Sequence, residues 1–176
     1  MDAAELMLVM NVPLARAQKW APALTLAMES GSINTRRRIA AFLAQIGHES
    51  GSLVYSKELG GPKYFAKYEG RKDLGNTQPG DGVKFAGRGL IQVTGRANYA
   101  RASQALFGDD RLLQTPELLE QPEWAAKSAV WYWTSRNLNA LADQDRFTGI
   151  TKAINGGTNG LEDRKTRYRL ALTVLA

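Results

Sequence analysis

A carboxylate that prolongs an apolar helical stripe is the residue of this sequence best placed for chemistry. Ile39, Phe42, Leu43 and Ile46 fall at i, i+3, i+4 and i+7, the spacing of one helical face, and Glu49 extends the same stripe. Ser50-Gly51 supplies a stop, which puts Glu49 in the last turn. Burial and the negative end of the helix dipole both disfavour a charged carboxylate there. A carboxyl protonated near neutral pH is what a general acid requires. The same spacing also fits a glutamate that swings out to solvent from a frayed end. A second polar pair lies in Gly87-Arg88-Gly89-Leu90-Ile91-Gln92-Val93-Thr94-Gly95. Leu90 to Thr94 has strand propensity, and in an extended chain Gln92 and Thr94 share one face. The plainer reading is a small hairpin whose polar face meets water.

The elements that must position these residues read mostly as helices. Helical periodicity predicts Asp2 to Val9, then about Pro13 to Met28 with Pro22 as a kink point and Gly31 as the stop. Thr35 is the expected cap of the helix that ends at Glu49. From Ser50 to Val83, glycines, Pro62, Pro79 and scattered tyrosines replace the periodicity. An ordered loop of that length usually carries function. Helices are then expected from Thr94 to Phe107, from Pro122 to about Asn137, around Arg146 to Ile154, and from Leu161 to Leu175. Trp124 and Trp131 share a face and read as core before sugar platforms. Arg164 falls on the packing side of the last helix, with Leu161, Tyr168 and Leu172.

Composition narrows the classes. The 176 residues suit one domain with a real core. The chain has no cysteine and one histidine, His48, which excludes thiolate zinc sites and nearly excludes histidine-rich ones. His48 faces away from Glu49 on the helix and reads as structural. No apolar run approaches a membrane span, and Asp2 and Glu5 in the first stretch argue against a signal peptide. A net charge of +6 favours polyanions without choosing among them. Arg36-Arg37-Arg38 reads as a solvated helix start, and no nucleic-acid motif is visible.

Taken together, Gln45-Ile46-Gly47-His48-Glu49-Ser50-Gly51, Gly87 through Tyr99, and Ile150 through Gly157 resemble family-19 glycoside hydrolases. That family holds plant-type chitinases and bacteriophage endolysins. Tyr68 through Thr77, followed by Gly80-Asp81-Gly82, is similar to the endolysin branch. The resemblance implies a mainly α-helical, bilobal, lysozyme-like domain with a small β-hairpin beside the cleft, spanning 1–176 with no separate wall-binding module. It implies inverting hydrolysis of a β-1,4 bond between amino sugars, with no cofactor and no metal. Carried over by motif, Glu49 matches the acid and Thr94 the residue that positions the attacking water. Gln92, Asn98, Tyr99, Asn155 and Arg164 match positions that bind sugar or support the carboxylates. Plant chitinases carry Thr-Thr after the acid and are disulfide-linked. Ser50-Gly51 and the absence of cysteine therefore favour peptidoglycan over chitin.

The second carboxylate does not align cleanly. Glu58 and Glu69 are the candidates in the loop, with Asp73 and Asp81 further along. Glu69 stands nearer the chitinase spacing. The endolysin branch has a Glu near position 58, and Lys57 beside it would favour the ionised form that a base needs, so Glu58 is the expected base and Glu69 the second choice. The resulting expectation is a monomeric muramidase-type endolysin. It would act on the peptidoglycan glycan strand for host lysis, and wait in the host cytoplasm until the inner membrane opens. It would contact anionic wall or membrane lipid at most peripherally, and no nucleic acid. A chitinase of the same family is the nearest rival. A lytic transglycosylase, a non-catalytic wall-binding module and a basic nucleic-acid binder stand further off.

Overall fold

The computed structural model describes residues 1–175 as an assembly of helices. α1 (Ala3–Met10) begins at Asp2, whose side chain accepts from Glu5 N. α2 (Leu14–Ser30) continues through Pro22, which lies on its exposed side. α3 (Arg36–Glu49) begins at Thr35, whose hydroxyl accepts from Arg38 N at 3.3 Å, as its residue type predicts. Its apolar stripe buries Phe42, Leu43 and Ile46 against α11 (Leu161–Val174) and the edge of Trp133, whose ring centroid lies 5.4 Å from that of Phe42.

The segment after α3 holds only short pieces: α4 (Pro62–Phe65), 3-10 turns at Ala66–Tyr68 and Lys72–Leu74, and α5 (Asp81–Lys84). α6 (Arg96–Phe107) follows and ends at Gly108 with φ of 73°, a conformation glycine adopts without strain. α7 (Arg111–Gln114) and a 3-10 turn, Pro116–Glu120, lead into α8 (Pro122–Ser135), which starts with Pro122 in its first turn. α9 (Leu138–Asp143), a helix the sequence pattern did not show, precedes α10 (Phe147–Asn155). α2 packs on α1 and α8, and α6 packs on α7 and α8. Among the described residues, no helix is long and apolar enough to cross a membrane.

The expected strand is absent. Leu90 to Gln92 form a turn closed by one antiparallel bridge between Arg88 and Val93, and a second bridge joins Arg88 to Lys57. Gln92 takes φ of 57°, which breaks the alternation that would have set it beside Thr94 on a pleated face. The physical reason is long-range. Arg88 is 4% exposed, and its guanidinium donates to Glu120 Oε1 at 2.7 Å, Lys84 O at 2.8 Å and the Tyr99 hydroxyl at 3.1 Å. The chain wraps around this buried cation instead of running straight past it.

Candidate active site

Glu49 stands half-buried at the end of α3, but it is not the unpaired carboxyl that its spacing suggested. Arg164 of α11 donates through Nη2 to Glu49 Oε1 and through Nη1 to Gln45 Oε1 one turn earlier, both at 2.5 Å. Arg164 Nε also donates to Asn159 O, and Gln45 Nε2 donates to the Thr151 hydroxyl of α10 at 2.8 Å. Gln45, Thr151 and Arg164 are all buried. A polar chain therefore crosses the core from α10 to the carboxylate and fixes its rotamer. Its members satisfy each other, as buried polar groups must. Sequence reading singled out Arg164 but missed Gln45 and Thr151. The polar Gln45 inside the apolar run Ala40–Ile46 was the signal. With Oε1 held by Arg164, Oε2 is the oxygen left to meet a ligand. His48 faces the other way: its Nδ1 lies 2.7 Å from Asp163 Oδ2 and its ring packs over Gly160.

The loop carboxylates separate by what holds them. Glu69 accepts from the backbone of Gly80 at 2.7 Å and Gly82 at 2.8 Å, so it serves as the anchor of its own loop. Asp73 is exposed and paired with Arg71. Asp81 is buried under a two-pronged contact with Arg96, and those hydrogen bonds hold its carboxyl below the usual range. Glu58 alone points at the Gly87–Thr94 turn. Its Oε2 accepts from Gly87 N at 3.2 Å, and its Oε1 accepts from the Tyr68 hydroxyl at 2.9 Å and from Lys67 Nζ at 3.3 Å. Lys57, the cation expected to face Glu58, instead reaches Glu120 at 3.6 Å. Lys67 takes that place, held over the rings of Tyr64 and Tyr68 at 3.5 and 4.7 Å. Neither Lys67 nor Tyr68 was visible as a functional residue in the sequence.

Gly87 shows how closely the turn converges on Glu58. A Cβ placed there would lie 2.6 Å from Gln92 Oε1 and 3.2 Å from both Glu58 Oε2 and Thr94 Oγ1. Three polar atoms thus close around one point that only glycine leaves open. Thr94 Oγ1 donates to Gln92 O at 3.0 Å, so its lone pairs remain free to accept. Gln92 Nε2 donates to Gly89 O, and Asn98 Nδ2 donates back to Thr94 O, which steadies the residue it follows. Tyr99 corrects the expectation of a cleft residue. It is fully buried, its hydroxyl donates to Ala86 O at 2.7 Å, and it has no surface to offer a ligand. Asn155 is exposed at the end of α10, where its Oδ1 accepts from Asn159 N.

Gln92, Thr94 and Asn98 line a depression of ≈ 190 Å³ together with Trp131, Tyr132 and Ile154. Trp131 is therefore half in the cleft, where the sequence reading placed it in the core. Tyr132 links this depression to Glu49. Burial pushes its hydroxyl up, Arg136 works in the other direction, and the Glu49 carboxylate adds to the rise. Tyr132 and Thr94 both line this depression.

A family model described as class I chitinase matches residues 14–153. A Haemophilus influenzae protein named as a glycosyl hydrolase family 19 domain-containing protein is 36% identical over 169 residues, covering 80% of this chain and 81% of that one. The chain belongs to glycoside hydrolase family 19. An Arabidopsis thaliana endochitinase is 36% identical over 123 residues, which span 69% of this chain and 40% of the plant protein. This family-19 chain thus spans less than half of the plant enzyme's length. Two solved bacterial chitinase structures superpose on it along 99% of its length. Chitinase C from Streptomyces griseus gives a TM-score of 0.79 at 27% identity over 76% of its own chain, and a second bacterial chitinase gives 0.80 at 26% over 94%. The family-19 fold is the mainly helical, lysozyme-like one expected. The protein is a glycosidase, and these relatives speak for the chitinase alternative more than for the endolysin branch suggested by Tyr68 through Thr77.

Proposed function

We propose that this family-19 enzyme hydrolyses the β-1,4 bond of an N-acetylated amino-sugar strand by inversion, with chitin-type strands as its first substrate. The observation that carries the reading is the closure of Glu58 Oε2 and Thr94 Oγ1 around Gly87, beside a depression that Thr94 lines. Glycoside hydrolysis with inversion uses one carboxyl to protonate the leaving oxygen and one carboxylate to activate water. Thr94 already spends its own hydrogen on Gln92 O. A water in the gap donates one hydrogen to Thr94 Oγ1 and the other to Glu58 Oε2, which aims its lone pair at the anomeric carbon. Glu58 takes the proton as the bond forms. Glu49 delivers its proton from Oε2 to the departing sugar oxygen. The names of the plant and Streptomyces relatives support chitin as substrate.

Peptidoglycan is the second reading, favoured by the +6 charge and by the likeness of Tyr68 through Thr77 to endolysin loops. In that reading the enzyme cuts the wall of a host bacterium once the inner membrane is opened. Turnover on N-acetylglucosamine oligomers and on purified peptidoglycan, measured side by side, separates the two. The base is tested with Glu58→Gln and Glu69→Gln. Glu58→Gln should lose activity on whichever glycan is cleaved, and Glu69→Gln should retain it wherever the loop stays folded. The reverse pattern transfers the role to Glu69. The anomeric form of the first product, read by NMR, tests inversion.

A further inference from the structure

Two of the helices around the cleft, α10 and α11, carry a cluster of cations on another side. Arg146, at the start of α10, and Lys152 line a groove of ≈ 660 Å³ together with Lys165 and Arg169 of α11. The groove runs on past Asp145 and Leu172 into a second depression that holds Arg36 and Arg37. Six cations therefore share one continuous surface. Two acids lie along it: Asp143 is paired with Arg38 at 2.6 Å, and Asp145, which keeps its charge, accepts from the Tyr168 hydroxyl at 2.9 Å. Lys165 is paired with Glu162, whereas Arg146, Lys152 and Arg169 are exposed and have no ion-pair partner among the described residues. A glycan of N-acetylated sugars carries no phosphate, so the cleft chemistry gives this groove no occupant.

We infer that this groove binds a flexible phosphodiester-linked polyol or sugar chain of a cell surface, which holds the enzyme beside its substrate strand. The shape decides the class. The site is a concave furrow between two helices, and a concave furrow fits a single strand better than a flat bilayer. Its aromatic floor, Phe147 stacked on Tyr168 at 4.4 Å, is buried, so no ring is free to stack on a nucleobase. What remains is phosphate recognition by lysine and arginine, with neighbouring cations on α11 at i and i+4, about 5–6 Å apart at their Cβ atoms. The far end of α10 brings Ile154 to the cleft wall, so one helix borders both the groove and the cleft. The inference holds for either glycan of the proposed function.

The test uses the full chain and poly(glycerol phosphate) as the probe, with single-stranded DNA and phosphatidylglycerol vesicles as competitors. Arg146→Gln, Lys152→Gln and Arg169→Gln are combined, and so, as a control of equal charge loss, are Lys19→Gln, Lys63→Gln and Arg101→Gln. The first triple should bind poly(glycerol phosphate) at least ten-fold more weakly than the parent, and the control should bind within about three-fold, because loss of a few phosphate contacts acts locally on affinity. Raising salt from about 50 to 200 mM should weaken the parent on the order of ten-fold and the first triple far less. Turnover on a soluble oligosaccharide should be unchanged in the first triple, which shows that it folds. Equal losses in the two triples overturn the inference. So does tighter binding of the parent to DNA or vesicles than to poly(glycerol phosphate). Because binding is read without turnover, a failed substrate assignment leaves this result intact.

Discussion

Glu49 and Glu58 are held in opposite ways, and their mutants should separate accordingly. Glu49→Gln keeps an oxygen for Arg164 but removes the proton that the leaving group needs. Activity should fall by ~10²-fold or more, the typical worth of general acid catalysis. Had Glu49 been buried and unpaired, the neutral side chain would have stabilised the fold. Facing Arg164, it should instead lower the melting temperature slightly. A variant within ten-fold of the parent would sink the assignment. Around Glu58, Tyr68→Phe and Lys67→Met each remove one donor to Oε1, leaving the carboxylate free to rotate away from the water site. Both should lower kcat on the order of ten-fold with KM nearly unchanged, and Lys67→Arg should recover part of the loss. In a Glu58→Gln background neither should cost more, which is checked by the double variants. In the sequence Glu58, Glu69, Asp73 and Asp81 were ranked only by the family resemblance and by Lys57 beside Glu58, which the structure turns toward Glu120. What separates them is who grips each one, and those grips come from 11 and 13 residues away for Glu69 and from 9, 10 and 29 for Glu58. Local sequence does not encode such partners.

Helices were legible because their stripes are periodic and their ends are signed by Thr35, Gly108 and Pro122. The Gly87–Thr94 turn was not, because a buried arginine contacting a residue 32 positions away overrides the strand propensity of Leu90 to Val93. The loop before it is stiffened by similar long-range polar contacts. Buried Asn76 donates to Tyr68 O and accepts from Arg96 N, tying the grip on Glu58 to the first residue of α6. Arg96 in turn clamps Asp81, whose carboxyl lies below its ordinary value because of that contact. A depressed folded value means that the unfolded chain binds the proton more readily. The clamp's contribution is thus fully present above the ordinary aspartate value of about 3.9 and is lost as pH falls through the folded value. Asp81→Asn should cost on the order of 2–3 kcal/mol near neutral pH, the scale of hydrogen bonds to a charged group. It should also flatten the loss of stability below about pH 4, read from denaturant midpoints across pH. Parallel curves for parent and variant would show that the clamp does not set acid stability.

At the scale of the whole molecule, no disulfide secures the assembly, and the acid sits where three helices meet. α3 supplies Gln45 and Glu49, α10 supplies Thr151, and α11 supplies Arg164. The side chain that serves the carboxylate therefore also joins the helices. Arg164 is 1% exposed and feeds three acceptors with its planar fork, a geometry that lysine cannot copy. Arg164→Met should cost ~3–5 kcal/mol, because it leaves the half-buried Glu49 without its donor and strands Gln45 Oε1. In a chain of this size each 1 kcal/mol moves the melting temperature by roughly 2–4 °C, so the drop should be of the order of 10 °C. Arg164→Lys should recover only a small part. The decisive measurement is the cycle with Glu49→Gln. If the main cost of losing Arg164 is the abandoned carboxylate, the Arg164→Met, Glu49→Gln double variant should be more stable than the sum of the single losses by at least ~1 kcal/mol. Strict additivity in thermal and denaturant melts would mean that Arg164 serves the helix junction alone, and that Glu49 gets its orientation from α3 and not from the polar chain across the core.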